Sequence, residues 1–168
     1  RHGGIFQTPA GPPSDMGSFP FSYKQLGLEN LEHRIIYYES SRGCPFSCSY
    51  CLSSVDKALR FRPISLVKRE LDWFLERKVP QVKFVDRTFN CKKSHALAIW
   101  RHILEHDNGV TNFHFEIAAD LLDEEAMELL EKMRPGLVQL EIGVQSTNPE
   151  TLREIHRRTD IGEIRRIT

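Results

Sequence analysis

The chain has 168 residues, of which 40% are hydrophobic, and its 23 basic and 23 acidic residues give a formal net charge of zero. This length and composition predict one globular domain with a substantial core. The balanced charge does not indicate a nucleic-acid partner, and no apolar run approaches the ~20 residues that span a membrane. No signal peptide is recognisable either, so we expect no membrane partner, and there is no evidence for a nucleic-acid partner.

Glycine and proline are concentrated at the start of the chain. Residues 1–22 show little apolar periodicity, which is typical of a linker or arm. We therefore predict an N-terminal arm over residues 1–30 and a folded core over residues 31–168. Because the chain begins with Arg1 and its first methionine is Met16, we also expect it to be part of a longer protein.

Strand and helix patterns alternate four times after the arm, which is typical of a parallel α/β sheet. The strands are predicted at residues 35–39, 82–85, 113–117 and 138–144. The helices that follow are predicted to begin at the capping residues Ser65, Ser94, Asp123 and Asn148. Residues 160–168 have the apolar spacing of one more helix. Right-handed crossovers curl such units toward a barrel, but four units cannot close a barrel of eight.

Three cysteines, Cys44, Cys48 and Cys51, follow the first predicted strand at a C-x3-C-x2-C spacing. Thiolates are the natural ligands of iron–sulfur clusters, and a [4Fe–4S] cluster ligated only by protein takes four of them. Three thiolates from one loop leave one iron open, and an open metal position is where a small molecule can bind. The spacing therefore predicts a [4Fe–4S] cluster with one coordination position for a ligand.

A zinc site and a disulfide framework are the alternatives. Structural zinc sites usually show paired C-x2–4-C units, or cysteine with histidine at short spacing, whereas the only other cysteine here is Cys91 and the loop holds no histidine. Four cysteines are sparse for a disulfide framework, and thiols that bind a cluster favour a reducing cytoplasm. Cys91 is expected to be a free thiol, with ligation of a second cluster as the remote alternative.

The stretch from Tyr38 to Cys51 resembles the signature of the radical S-adenosylmethionine (SAM) superfamily, C-x3-C-x-aromatic-C, with Tyr50 in the aromatic position. The resemblance implies that the open iron binds the amino and carboxylate groups of SAM, which the reduced cluster cleaves to methionine and a 5′-deoxyadenosyl radical. The protein's part in such chemistry is placement, tuning and exclusion of water. The resemblance also implies a partial parallel (β/α) barrel of six units, here truncated to about four.

A connector-like motif lies at the end of the arm, Asp15-Met-Gly-Ser-Phe-Pro-Phe-Ser-Tyr23. It resembles the connector between a cobalamin-binding domain and a radical SAM domain in the cobalamin-linked subgroup. The resemblance implies cobalamin-assisted methyl transfer as the leading reaction, with methylthiolation and porphyrinogen-type oxidation as rivals. It implies a reductant such as flavodoxin or ferredoxin, and it leaves the substrate open. The alternative is a proline-rich tail whose aromatic side chains pack on the domain.

Two predicted strands alternate between apolar and polar residues, although strands buried on both faces should be nearly continuously apolar. The third strand places His114 and Glu116 on one face, and the fourth places Gln139, Glu141 and Gln145 on one face. We expect the apolar faces to meet helices and the polar faces to line a cavity with water, a counter-charge or a polar ligand. The alternative is a half-exposed sheet whose polar face meets solvent.

The resemblance assigns SAM contacts to residues at the strand ends. Asp86 and Thr88 follow the second strand, where the family carries a glycine-rich segment, and they resemble its acidic variant; they are expected to hold the methionine amino group. Glu116 matches an acid that accepts hydrogen bonds from the SAM ribose hydroxyls. The alternative for Glu116 is a salt-bridged surface acid.

Further contacts are implied around the fourth strand and the cysteine loop. Gln145 matches a glutamine beside SAM, and Arg157, twelve residues later, is expected to reach the SAM carboxylate, with Arg158 as the alternative. Tyr50 is expected to flank the adenine, and Tyr38 matches another SAM contact.

The remaining histidines receive no catalytic role. His95, His102 and His106 lie on or near one predicted helix and are expected to be exposed. His114 shares the face of Glu116, and a hydrogen-bonded interior histidine explains it equally well. The function predicted overall is a radical SAM core that binds a [4Fe–4S] cluster and SAM. The alternative is a zinc-stabilised or metal-free α/β interaction domain without catalysis.

Overall fold

The computed structural model describes residues 11–12, 14–25 and 34–167 of the chain. The predicted arm is therefore described only in part, and its predicted end at residue 30 lies outside the described residues. None of the helices in the described ranges combines the length and the hydropathy that a membrane span requires.

The described chain alternates strands with helices, as the sequence predicts. The strands are β1 (Ile36–Tyr38), β2 (Ser41–Arg42), β3 (Arg60–Phe61), β4 (Gln81–Phe84), β5 (Asn112–Ile117) and β6 (Val138–Ile142). The α-helices are α1 (Ile64–Glu76), α2 (Lys93–Glu105), α3 (Glu124–Glu131), α4 (Pro149–Glu154) and α5 (Ile161–Ile167). Short 3-10 turns include Ser22–Gln25 and Phe89–Cys91.

Four strands form a parallel sheet in the order β1-β4-β5-β6. Strand order follows chain order, because each crossover helix delivers the chain to the neighbouring position, as in a (β/α) barrel. The predicted fold class, a partial parallel barrel of about four βα units, is confirmed. Strands β2 and β3 form a separate antiparallel pair.

The core lies between the apolar face of this sheet and the helices. Phe113, Phe115 and Ile117 alternate inward along β5, as predicted from the sequence. Phe115 contacts the rings of Phe84 and Phe89, with ring centroids 4.5 Å and 4.3 Å away. The helices α1 and α2 supply the other side of this aromatic core.

Two predicted helix caps are confirmed and two are wrong. The Asp123 carboxylate accepts from the Ala126 N–H, and the Asn148 side chain accepts from the first-turn N–H groups of α4. Ser65 and Ser94 instead lie inside the first turns of α1 and α2, which begin after Pro63 and Lys92. Proline and lysine cannot cap with a side-chain acceptor, so the sequence signal favoured the serines just downstream.

The connector-like motif docks on the core through a buried ion pair. Arg62 donates to Glu70 through Nε and Nη2, at 2.8 Å and 2.5 Å, and both side chains are 7% exposed. The same guanidinium donates to the carbonyls of Met16 and Phe19. Phe21 packs edge-on against α1. The motif therefore has a fixed position on the domain.

Candidate functional site

The cysteine loop is closed at its base by the short β2–β3 pair. Ser41 pairs with Phe61 and Arg42 with Arg60, so the chain between them leaves the sheet and returns to the same place. Gly43 begins this excursion at φ +97°, and a Cβ there would lie 2.6 Å from the Ala58 carbonyl oxygen. Only glycine combines this backbone conformation with so close an approach.

The loop is braced internally and against α4. Lys57 donates to the Phe46 carbonyl and to the Ser47 hydroxyl. The Ser49 N–H donates to the Ile155 carbonyl at 3.0 Å, which joins the loop to the end of α4. The Cys51 N–H donates to the Cys48 carbonyl, forming a tight turn between two of the predicted ligands.

The structure places the three predicted ligands, Cys44, Cys48 and Cys51, in this one loop as free thiols. Cys44 and Cys48 are buried, and Cys51 is partly exposed. The Cys44 sulfur lies 3.8 Å from the Thr88 hydroxyl, and the Cys48 sulfur lies 3.8 Å from Arg157 Nη1. Two of the predicted SAM-binding residues therefore lie directly beside predicted cluster ligands.

Arg157 links the cysteine loop to the end of β6. Its Nη2 donates to the Gly143 carbonyl at 2.5 Å and its Nε donates to the Thr159 hydroxyl at 3.1 Å. Tyr50 lies close enough to Arg157 and Cys48 to interact with both through charge and hydrogen bonding. Partial burial raises the pKa of the Tyr50 phenol. The structure thus brings Arg157 and Tyr50 together at Cys48.

Gln145 lies at the same end of the sheet. The Gln145 backbone is left-handed, with φ +61°. The Gln145 side-chain amide folds back onto Gly143, where an added Cβ would lie only 2.7 Å from Nε2 of Gln145. Gly143 therefore accommodates the Gln145 amide on one side and accepts from Arg157 on the other. The predicted pair of Gln145 and Arg157 converges on one glycine.

Asp86 occupies a buried hydrogen-bond network that the sequence did not reveal. Its carboxylate is fully buried and accepts from the Ser40 N–H, the Ser40 hydroxyl and the Ser41 hydroxyl. The Ser40 hydroxyl also lies 3.0 Å from Nε2 of His95. Burial raises the pKa of Asp86 to about 6 and lowers that of His95 to about 4. With these donors in place, Asp86 fixes the chain between β1 and the cysteine loop.

This position bears on the SAM contact predicted for Asp86 and Thr88. Asp86 is fully buried and each of its oxygens accepts from Ser40 or Ser41, whereas the Thr88 hydroxyl faces Cys44 and donates to the Arg87 carbonyl at 2.8 Å. Thr88 is therefore the better placed of the two for an ammonium group. The SAM contact of each remains a prediction.

The polar face of the sheet collects charged residues from three adjacent strands. Glu116 of β5 lies directly opposite Glu141 of β6. Lys83 of β4 lies 3.5 Å from Glu116 and 3.0 Å from Glu141, and His114 Nε2 is 3.1 Å from Glu141. A counter-charge was one of the partners expected for these acids, and Lys83 provides it. Glu141 is 54% exposed and Glu116 is 32% exposed, so this face is partly open to solvent, as the half-exposed alternative expects. The cavity expected there stays a prediction.

Tyr38 lies apart from the other predicted SAM contacts. Its side chain is buried against Phe74 and Phe84, and its hydroxyl donates to Glu70 at 2.6 Å. Burial raises the pKa of this phenol well above its usual range. The ring thus supports the Arg62–Glu70 pair, and a SAM contact from Tyr38 would have to come from its backbone.

Two expectations for single residues are corrected. His95 and His102 are buried, at 6% exposure each, although they were expected at the surface. His95 packs on Phe61 and hydrogen-bonds to Ser40, and His102 bonds to Asp72 on α1, so both lie on the inner face of α2.

Cys91 is a half-buried free thiol whose pKa is raised mainly by burial.

The three cysteine sulfurs are not drawn together as they would be around a single zinc ion, and three thiols from one loop are a donor set suited to an iron–sulfur cluster. Among the described residues, the sulfurs of Cys44, Cys48 and Cys51 do not all lie within 4.8 Å of one another. Tetrahedral zinc with Zn–S bonds of ~2.3 Å brings its sulfurs within about 3.8 Å of one another. A cubane cluster attaches each sulfur to a different iron and so separates the sulfurs more widely.

Residues 38–167 match the sequence profile of the radical SAM superfamily. This match covers most of the chain, so the chain belongs to the radical SAM superfamily. Membership implies a [4Fe–4S] cluster and SAM as cofactors, and the cysteine spacing described above agrees with it.

The individual relatives are methyl-transfer proteins. The chain is 26% identical over 128 residues to the hopanoid C-3 methylase of Methylococcus capsulatus, which covers 74% of this chain and 24% of that protein. The fold is similar to TsrM of Kitasatospora setae, a radical SAM methyltransferase solved with tryptophan and a SAM analogue, with TM-score 0.67 and 19% identity over 79% of this chain and 27% of that chain. A second TsrM structure contains cobalamin and a [4Fe–4S] cluster and also gives TM-score 0.67. The chain spans about a quarter of the length of these proteins.

Proposed function

We propose that the chain is the N-terminal part of a radical SAM core that serves cobalamin-assisted methyl transfer. Cys44, Cys48 and Cys51 would hold a [4Fe–4S] cluster and leave its fourth iron to SAM. When bound, the cluster supplies the electron that cleaves SAM to methionine and the 5′-deoxyadenosyl radical. A small electron carrier such as flavodoxin or ferredoxin is the proposed reductant.

The observation that carries this proposal is the convergence of Arg157 on the cysteine loop. A guanidinium presents paired N–H donors, which match the two oxygens of a carboxylate. Nη1 of Arg157 is 3.8 Å from the Cys48 sulfur, and this closeness supports a role for its charge in binding the SAM carboxylate beside the cluster. Thr88 lies beside Cys44 and offers an acceptor oxygen for the SAM amino group.

Glu116 is the proposed ribose contact. It lies on the polar face of the sheet, which belongs to the same parallel strands that carry the cluster loop and Gln145 at their carboxyl ends. Its present partner is Lys83 at 3.5 Å, a weak contact in a partly exposed setting. A vicinal diol could replace that contact with two hydrogen bonds to one carboxylate.

Cobalamin-assisted methyl transfer is the finer part of the proposal. It is supported by the methylase and methyltransferase relatives and by the connector-like motif, which is docked on α1 by Arg62 and Phe21. In this proposal, the docked motif sets the position of a preceding cobalamin-binding domain relative to the cluster.

The test begins with anaerobic reconstitution of the chain with iron and sulfide. Cluster formation is expected, and addition of SAM and dithionite is expected to give weak or no formation of 5′-deoxyadenosine, because the described sheet has four strands. Stoichiometric zinc bound through cysteine sulfur, without a broad visible absorption band, would instead support the interaction-domain alternative.

Methyl transfer is tested separately on a protein that joins this chain to the proposed cobalamin-binding domain, with SAM labelled on its methyl group and reduced cobalamin. Labelled methylcobalamin that requires the wild-type cysteine loop would support the finer proposal. Formation of 5′-deoxyadenosine without labelled methylcobalamin would retain the radical SAM assignment and reject methyl transfer to cobalamin.

A further inference from the structure

A cluster of metal-ligand side chains lies outside the site described above. Asp72 of α1, His102 of α2 and His106 at the end of α2 each place one ligand atom so that all three lie within 4.8 Å of one another. His102 Nε2 is 2.6 Å from Asp72 Oδ1, and the imidazole rings of His102 and His106 stack with centroids 4.2 Å apart.

This cluster lies toward the amino ends of the parallel strands, whereas the cysteine loop lies at their carboxyl ends. The loop follows the carboxyl end of β1, whereas α1 and α2 end just before the amino ends of β4 and β5. The His102 and His106 pair is spaced by one helical turn, so both rings leave the same face of α2. Asp72 faces them from the neighbouring helix.

We propose that Asp72, His102 and His106 form a binding site for a divalent transition-metal ion, such as Zn²⁺, that joins α1 to α2. Two imidazole nitrogens and one carboxylate oxygen are a donor set suited to Zn²⁺ and its first-row neighbours. Glu76, one turn after Asp72, lines the same cleft as His106 and can complete the coordination, as can water.

The hydrogen bonds of the site prepare one histidine for a metal. Nδ1 of His106 is 2.9 Å from the His102 carbonyl oxygen, which can only accept, so Nδ1 carries the proton. In neutral His106 the lone pair is then on Nε2, and the Nδ1–H bond holds the ring as an outer-shell contact does in known metal sites.

The second histidine would exchange a proton for the metal. The ionised Asp72 carboxylate can only accept, so the 2.6 Å bond requires a proton on His102 Nε2. A divalent ion at Nε2 displaces that proton: a doubly protonated ring releases it to solvent, and a neutral ring takes up a proton at Nδ1 in exchange, so in both cases a neutral imidazole and the carboxylate are the ligands.

The charges around the cleft favour a cation. Asp72, Glu76, His106 and Asp107 line it, and His106 is the C-terminal cap of α2, where the helix dipole is negative. Arg134 offsets the charge of Asp107, and Arg77 lies over the Trp73 ring with its Nη1 3.4 Å from Glu76. Asp72 and the carboxyl end of α2 are therefore the groups that favour a cation.

The test uses the full chain with its iron–sulfur cluster reconstituted, so that the cysteines are occupied. After equilibrium dialysis against Zn²⁺, wild type is expected to retain about one zinc per chain and to show a higher melting temperature, as expected for a ligand that binds the folded state. X-ray absorption at the zinc edge should show N/O ligands at ~2.0–2.1 Å and no sulfur at ~2.3 Å.

Two variants decide the assignment. His106→Gln removes an exposed ligand and is expected to weaken zinc binding at least about tenfold, because one of three protein ligands is lost. Glu105→Gln removes an adjacent exposed charge on α2 and should bind zinc as wild type does. Equal zinc binding by wild type and His106→Gln, sulfur in the zinc shell, or no zinc binding by wild type would each overturn the proposal. The cluster assay depends on the cysteine loop and the zinc assay on Asp72, His102 and His106. A negative zinc result therefore leaves the proposed radical SAM function unaffected.

Discussion

The guanidinium of Arg157 lies 3.8 Å from the sulfur of Cys48, although the two residues are 109 positions apart in the chain. The contact depends on the end of α4, where the Ile155 carbonyl accepts from the Ser49 N–H of the cysteine loop. A second donor group of Arg157 is held by the Gly143 carbonyl. The cysteine loop and the fourth βα unit are therefore assembled as one site.

Arg157→Gln is expected to weaken SAM binding by about 10- to 100-fold, because a hydrogen bond to a charged group contributes about 1.5–3 kcal/mol. Cluster content should remain near that of wild type, since all three thiols are retained. The measurement is SAM affinity by equilibrium binding to the reconstituted chain. Arg158→Gln, at an exposed neighbouring position, is the matched control and should bind SAM normally. The reverse result would assign the contact to Arg158.

Replacement of Cys44, Cys48 or Cys51 by alanine is expected to abolish a stable cluster, because each thiolate serves a different iron. Iron and sulfide content after anaerobic reconstitution measures this. Cys91→Ala is the control, and it should retain the full iron content. Loss of iron in that control would show that the predicted ligand set is wrong.

Glu70→Gln is expected to destabilise the fold by about 3–5 kcal/mol, because it leaves the buried Arg62 charge without its partner. The connector-like motif should also become more sensitive to protease, since Arg62 holds the Met16 and Phe19 carbonyls. Urea unfolding and limited proteolysis provide the two readouts.

The matched control for that ion pair is Asp56→Asn. Asp56 pairs with Arg60 at the same 2.5 Å distance, but the Asp56 side chain is 48% exposed. An exposed pair contributes at most about 1 kcal/mol, so the control should unfold nearly as wild type does. Equal losses in the two variants would contradict the role given to burial.

The stability contributed by Asp86 is expected to depend on pH. Burial raises the pKa of this carboxyl from 3.8 to about 6, so the folded state binds its proton more tightly than the unfolded state. Deprotonation therefore costs stability as pH rises from about 4 through about 6, by an amount on the order of 3 kcal/mol.

The measurement is the difference in unfolding free energy between wild type and Asp86→Asn at several pH values. Asp86 should appear more favourable near pH 4 than near pH 7. The difference for His95→Gln should change in the opposite direction, because burial lowers the pKa of His95 from 6.5 to about 4 and protonation on acidification then opposes folding. A pH-independent difference for Asp86→Asn would show that its carboxyl is not desolvated.

Much of the fold was predictable because periodicity reports directly on burial. The alternation of Phe113, Phe115 and Ile117 with polar residues gave the correct inward face of β5, and Asp123 and Asn148 gave correct helix starts. The errors at Ser65 and Ser94 arose where the helix starts without a side-chain cap, one or two residues before the serine.

The site was predictable where spacing alone carries the chemistry, as in the cysteine loop. The network of Asp86, Ser40 and His95 was not, because it joins three elements whose adjacency follows only from the strand order. The pairing of His102 with Asp72 was missed for the same reason, since it depends on how α1 packs on α2. Local sequence identifies candidate groups, and the sheet topology decides which of them meet.

The most direct test of the central claim is the electron paramagnetic resonance spectrum of the reduced, reconstituted chain with and without SAM. If three thiolates hold a [4Fe–4S] cluster and leave one iron open, SAM must coordinate that iron and change the spectrum. We predict such a change for wild type. In Arg157→Gln, we predict that a much higher SAM concentration is needed to produce the same change. A reduced cluster whose spectrum is unaffected by saturating SAM would contradict the account.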